Sequence, residues 1–193
     1  MLKHLKKYWL EYVFFILLLN AVLCAIGFVH EELPIEYHEI KKIENEWGEE
    51  PLDKYLDKVL GMKNCTVMMA GTELDENIIS KEIYEKMKSV GIPVMEDWSQ
   101  VRKNGLIVLW SNGEVIDAKC CEGSPISYGS YINQHYVLLE GYVYFGFASI
   151  YLDDVLYSVS DSGLNIIVFD EKKEIIIDSV NFDYVNGKIN IKR

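Results

Sequence analysis

SGLNIIVFDEKKEIIIDSVNFD, residues Ser162 to Asp183, is the stretch on which the fold turns. Two runs of β-branched and aromatic residues, Asn165 to Phe169 and Glu174 to Ser179, flank the charged break Asp170-Glu171-Lys172-Lys173. That is the pattern of a β-hairpin closed by a short polar loop. A strand wetted on one side alternates apolar with polar residues, whereas Ile166-Ile167-Val168-Phe169 and Ile175-Ile176-Ile177 are continuous. Both faces of the hairpin are therefore expected to be covered, which places it in the middle of a domain.

Working outward, Leu52, Tyr55, Leu56, Val59 and Leu60 recur at helical spacing between Pro51 and Gly61. Ile79, Ile83, Met87 and Val90 stripe a second helix that closes at Gly91 and Pro93. Between them Cys65 to Ala70 reads as a buried strand and Gly71 to Asn77 as a polar loop. After a link through Trp98, Leu106 to Trp110 and Val115 to Lys119 flank Asn112-Gly113, a pair that accepts positive φ and marks a tight hairpin. Tyr136 to Leu139, Tyr142 to Leu152, Val155 to Ser158 and Lys188 to Lys192 continue the β-rich remainder, with turns at Asp153-Asp154 and Asn186-Gly187. In the strand expected from Tyr142 to Leu152, Tyr142, Tyr144, Gly146 and Ala148 share one face, read as half-wet. Val143, Phe145 and Phe147 share the other, read as core. The expected class is α+β, two packed, mainly antiparallel sheets with flanking helices. The chain has 193 residues, 50% of them apolar, enough for one sizeable core.

The N-terminus adds a separate feature. Lys3, His4, Lys6 and Lys7 precede an apolar run from Tyr12 to Val29, broken only by Asn20, and Glu31-Glu32 follow it. At 1.5 Å per residue the run spans roughly 27 Å, close to the thickness of a bilayer core. The expectation is an uncleaved transmembrane anchor within residues 1–30, basic end in the cytoplasm, with an acidic stalk over 31–50 and one domain over 51–193 outside the cell membrane. The alternative is a cleaved signal peptide, for which Ala25-Ile26-Gly27 supplies small residues.

Charge and cysteine content narrow the functional classes. The net charge is −11, and setting aside the three lysines and one glutamate of the first 30 residues makes it −13. Such a chain repels phosphate backbones, so nucleic acid is not an expected partner. Cys65, Cys120 and Cys121 follow Cys24 without any metal-ligand spacing; one bridge from Cys65 to Cys120 or Cys121, or free thiols, are the two readings. No metal or other cofactor is expected. No nucleophile elbow, zinc-protease motif or phosphate loop occurs. Ser124, Ser130 and Cys121, with His135 as base, are the residues an enzymatic reading would need, and a non-catalytic role is expected instead.

The run Gly163 to Val168, followed by Ile177-Asp178-Ser179 and Phe182-Asp183, resembles the signature hairpin of the interleukin-like EMT inducer (ILEI, or PANDER-like) domain family. Leu52 to Gly91 is similar to the helix–strand–loop–helix half of that domain, and Gly146 to Ser158 to the strand pair before the hairpin in bacterial members. The halves stand in the reverse order to the secreted animal members, as a circular permutation would leave them. The family includes secreted signalling proteins, bacterial surface proteins and a glycosyltransferase stem domain. The resemblance implies an extracytoplasmic module that binds neutral carbohydrate at the cell envelope, or an envelope protein in its place. In the stem domain the sugar is held by an arginine before the hairpin glycine, a loop acid and a second arginine. Carried over, these positions fall on Ser162, which replaces the first arginine, on Glu73 with Asp75 two residues on, and on Arg102. A carboxylate accepts from neighbouring sugar hydroxyls while a guanidinium donates to them, and Trp98 or Trp110 would wall the apolar ring face. The competing structural reading makes Glu73 a helix cap, Arg102 a solvated residue and both tryptophans core.

Overall fold

The computed structural model describes residues 40, 47–74, 76–94 and 104–193. The expected anchor and most of the stalk, together with Asp75, Trp98 and Arg102, lie outside these residues. No helix among the described residues is long and apolar enough to cross a membrane. Residues Glu39–Arg193 form one compact unit.

Among the described residues two helices, α1 (Leu52–Leu60) and α2 (Lys81–Ser89), accompany ten strands: β1 (Cys65–Thr72), β2 (Asn104–Ser111), β3 (Glu114–Glu122), β4 (Ile126–Ile132), β5 (His135–Tyr142), β6 (Phe147–Leu152), β7 (Val155–Leu156), β8 (Gly163–Asp170), β9 (Ile175–Val185) and β10 (Lys188–Lys192). Six strands form one sheet in the order β10-β9-β8-β1-β2-β3 and four form another in the order β4-β5-β6-β7. Every pairing is antiparallel. The mainly antiparallel two-sheet α+β class read from the sequence is what the structure has.

The hairpin β8–β9 is covered on both faces, and the two cores it separates explain its unbroken apolar run. Leu164, Ile166 and Val168 point to the core shared with α1 and α2, while Ile167 and Phe169 point to the core shared with the four-stranded sheet. β1 and β2 divide in the same way, with Val67, Met69, Leu106, Val108 and Trp110 on the helix side and Met68, Ala70, Ile107 and Leu109 on the sheet side. The six-stranded sheet is thus the middle layer of three. Ile40 and Trp47, in the segment read as a stalk, also pack on this unit: Ile40 is buried in the inter-sheet core and Trp47 meets Tyr55 edge-on at 5.9 Å.

Local chemistry sets the element ends. Ser80 caps α2 by accepting from Ile83 N, and Gly91, at φ +87°, closes it with the paired bonds Ile92 N to Met87 O and Gly91 N to Lys88 O. Asn112-Gly113, Asp153-Asp154 and Asn186-Gly187 all hold positive φ at two-residue turns, a region that Gly, Asn and Asp tolerate better than other residues. In the β8–β9 loop, Asp170 Oδ1 accepts from Lys172 N and Lys173 N. Burial alone would raise that carboxyl; the two N–H donors and the Lys173 ammonium outweigh it and hold it below the ordinary aspartate value.

One feature of β9 was not legible. Asp178 pairs with Val168 but Ile176 with Phe169, so Ile177 is the extra residue of a β-bulge. Ile176 faces the four-stranded sheet, and beyond the bulge Asp178, Val180 and Phe182 turn toward the helices. The reset delivers the buried Asp178 carboxylate to Tyr55 Oη, which donates at 2.8 Å, and to Arg193 Nε at 3.2 Å.

Phe169→Ala, which empties the inter-sheet core at a residue with no exposed surface, is expected to cost about 3–5 kcal/mol in urea unfolding. Ile116→Ala, at a residue 55% exposed, is expected to stay within about 0.5 kcal/mol of wild type.

Candidate functional site

The register brings the strand ends that carry Glu73 and Ser162 together. Thr72 pairs with Gly163, so Glu73 leaves β1 where Ser162 enters β8. Glu73 is exposed in a left-handed turn at φ +52°. Ser162 Oγ donates to Asp183 Oδ2 at 3.1 Å, and its carbonyl accepts from Asn181 Nδ2 at 2.7 Å. Asn165 anchors the preceding segment, its Oδ1 accepting from Val159 N and Ser160 N and its Nδ2 donating to Ser160 O. These buried asparagines hold the approach to Ser162 rigidly against the sheet. Asp75 and Arg102, the remaining expected site residues, lie outside the described residues.

The same end of the fold carries a feature that the sequence reading misplaced. Tyr142 to Leu152 is not one strand. β5 ends at Tyr142, Val143–Phe145 form a short 3-10 turn, and Gly146 in the left-handed region at φ +57° redirects the chain into β6. Tyr144 and Phe145 consequently do not lie on opposite strand faces; both project into solvent, 81% and 82% exposed. Ala148 is core, and Phe147 joins Tyr142 on the outer face of the sheet, their rings 6.0 Å apart. The available signal was Gly146 itself, since glycine inside an aromatic strand marks a break.

Glycines seat this turn. A Cβ on Gly105 would lie 3.2 Å from Val143 Cγ2, one on Gly123 would lie 3.0 Å from the Tyr144 hydroxyl, and one on Gly146 would lie 3.2 Å from both Glu73 carboxylate oxygens. The turn therefore rests on the backbone of β2 and of the β3–β4 connection, with Glu73 packed against its last residue. Thr72 Oγ1, adjacent to Glu73, is buried with no hydrogen-bond partner. The result is a rim with two outward rings, a carboxylate and the Ser162 hydroxyl.

Of the expected aromatic wall, Trp110 is 4% exposed within the helix-side core. It is a packing residue, as its position on a strand covered on both faces dictates. Trp98 lies outside the described residues. Of the residues that an enzymatic reading would need, His135 and Cys121 have these partners. His135 Nδ1 sits 2.6 Å from Asp153 Oδ2 and Nε2 has no hydrogen-bond partner. Cys121 Sγ contacts Ser124 O instead, and burial pushes its thiol up. Cys65, Cys120 and Cys121 form no disulfide with one another. Cys65 lies at the Asp170 end of β1 while Cys120 pairs with Leu106 at the far end of β2, so the register forbids the bridge. Among the described residues no group of three or more His, Cys, Asp or Glu side chains is arranged to hold a metal ion.

Comparison with known proteins adds no relative. No family model, no curated protein and no solved structure matches the chain.

Gly146→Ala forces an L-residue into the left-handed region and drives a methyl group against Glu73. It is expected to lower stability by about 1–2 kcal/mol in urea unfolding.

Proposed function

We propose that the chain is a non-catalytic recognition module of the ILEI-like type, held at a cell envelope by its N-terminal apolar segment with the domain outside, and that its rim binds neutral carbohydrate. The observation that carries this reading is the pair Tyr144 and Phe145, both more than four-fifths exposed on a glycine-seated turn beside the Glu73 carboxylate. Large rings held outward by a rigid turn stack on the apolar face of a sugar at little entropic cost. Glu73 accepts from adjacent hydroxyls with charge assistance, and Ser162 supplies a short-range polar partner. Arg102 keeps the role that the family resemblance gives it, donating to sugar oxygens, with Asp75 as a second acceptor. The excess of acid on the chain favours an uncharged glycan over a phosphorylated one.

The second reading is a protein-interaction module, favoured by the same two rings, because exposed neighbouring aromatics are what interface centres bury.

Isothermal titration of the full chain against a panel of neutral glycans separates the two. Binding to at least one glycan is expected, weakened about tenfold or more by Glu73→Ala and by Phe145→Ala, each the loss of about one charge-assisted bond or stacking contact. No glycan bound, or binding indifferent to both changes, removes the carbohydrate site. Capture of an envelope protein that depends on Tyr144 and Phe145 but not on Glu73 supports the alternative.

A further inference from the structure

The outer face of the four-stranded sheet is distinct from the rim and is ordered in rows across the strands. Tyr131 pairs with Tyr136, then Gly129 with Leu138 and Leu138 with Tyr151, then Ser127 with Glu140 and Glu140 with Ser149, and finally Tyr142 with Phe147. A polar row centred on Glu140 thus lies between aromatic rows. Tyr142 Oη donates to Glu140 Oε1 at 3.1 Å and Ser149 Oγ donates to Oε2 at 3.0 Å, so the carboxylate is aimed and not free to swing away. The hydrogen bond to Glu140 and its charge push the Tyr142 phenol above its ordinary value. Among the described residues no cation is paired with Glu140, and the sequence holds no lysine or arginine between Lys119 and Lys172. Apolar surface on this face is open as well, with Tyr131 69% and Leu156 49% exposed.

A fixed carboxylate that no cation pairs with among the described residues, the Lys119 ammonium being held by Ser127 O at 3.1 Å, is set among tyrosine and phenylalanine rings and is complementary to a cation with an apolar stem. The rings' negative faces and the carboxylate attract the same charged group, and the aliphatic carbons of a long basic side chain cover the rings. A neutral ligand leaves the charge uncompensated. An anionic membrane surface is repelled by it. We propose that this face docks a basic, extended segment of a partner polypeptide, with a lysine or arginine side chain seated on Glu140 and its apolar neighbours lying over the flanking aromatic rows. Four strands span about 14 Å at roughly 4.8 Å spacing, the reach of about four to five extended residues. The net charge of −11 steers such a segment toward the chain.

The test is isothermal titration of the full chain with an acetylated, amidated heptapeptide alternating lysine with valine and threonine, beside a second peptide with glutamine at each lysine. The lysine peptide is expected to bind with an affinity that falls as salt rises, and the glutamine peptide to bind about tenfold more weakly or not at all. Glu140→Gln keeps the shape and the acceptor of the side chain and is expected to weaken the lysine peptide about tenfold. Leu138→Lys, which puts an ammonium group on the same face, is expected to abolish binding even should Glu140→Gln perturb the sheet. Failure of the lysine peptide to bind, equal binding of the two peptides, or unchanged binding in both variants overturns the proposal. So does loss of peptide binding in Glu73→Ala, which moves the site to the rim.

Discussion

The structure depends on the removal of both faces of β8 and β1 from water. Each fully buried aliphatic or aromatic side chain there contributes about 1.5–3 kcal/mol relative to exposure, but only if a layer exists on its own side. Ile166 and Val168 need the helices, and Ile167 and Phe169 need the second sheet. Neither layer alone satisfies the strand. Three layers follow from one apolar run, and the charged loop after it is drawn into the scaffold too: Glu171 Oε1 accepts from Thr66 Oγ and Ser111 Oγ, both at 2.7 Å.

The rigid middle layer is what makes the rim definite. Glu73 and Ser162 meet because β1 and β8 pair in a register fixed by alternating burial, where a slip of one residue would exchange the two cores. The turn bearing Tyr144 and Phe145 sits close on glycine backbone, where a Cβ would crowd Val143 and Tyr144. Function, on this account, is placed on short connections whose positions are inherited from the sheet. The cover that β8 requires comes from the inner face of the four-stranded sheet and makes no demand on its outer face.

Much of this was legible. Helical stripes around Tyr55 and Ile83, the Asn112-Gly113 turn and the doubly covered hairpin were all carried by periodicity and turn chemistry. What escaped has physical reasons. β4 was not recognised because Ser127, Gly129 and Ser130 lower its apolar content; at Gly129 the Tyr136 hydroxyl occupies the space that a Cβ would take. The bulge at Ile177 escaped because three consecutive isoleucines give no sign of which one is the extra residue. The turn at Val143–Phe145 escaped because its residues have strand propensity and only the glycine after them resists. Trp110 follows the competing structural reading, since its strand already requires it for packing. Of the site, the juxtaposition of Glu73 and Ser162 follows from the sequence only once β1 is known to lie beside β8, a pairing of residues far apart in the chain.

Native-state hydrogen exchange on the full chain addresses the middle-layer claim directly. The account predicts that amides of Met68 to Ala70 and of Ile166 to Phe169 exchange only through global unfolding, with exchange free energies and denaturant slopes equal to those of the whole domain. Exchange of the β8 amides at markedly lower free energy and with a shallow slope, while the helices stay protected, would contradict it.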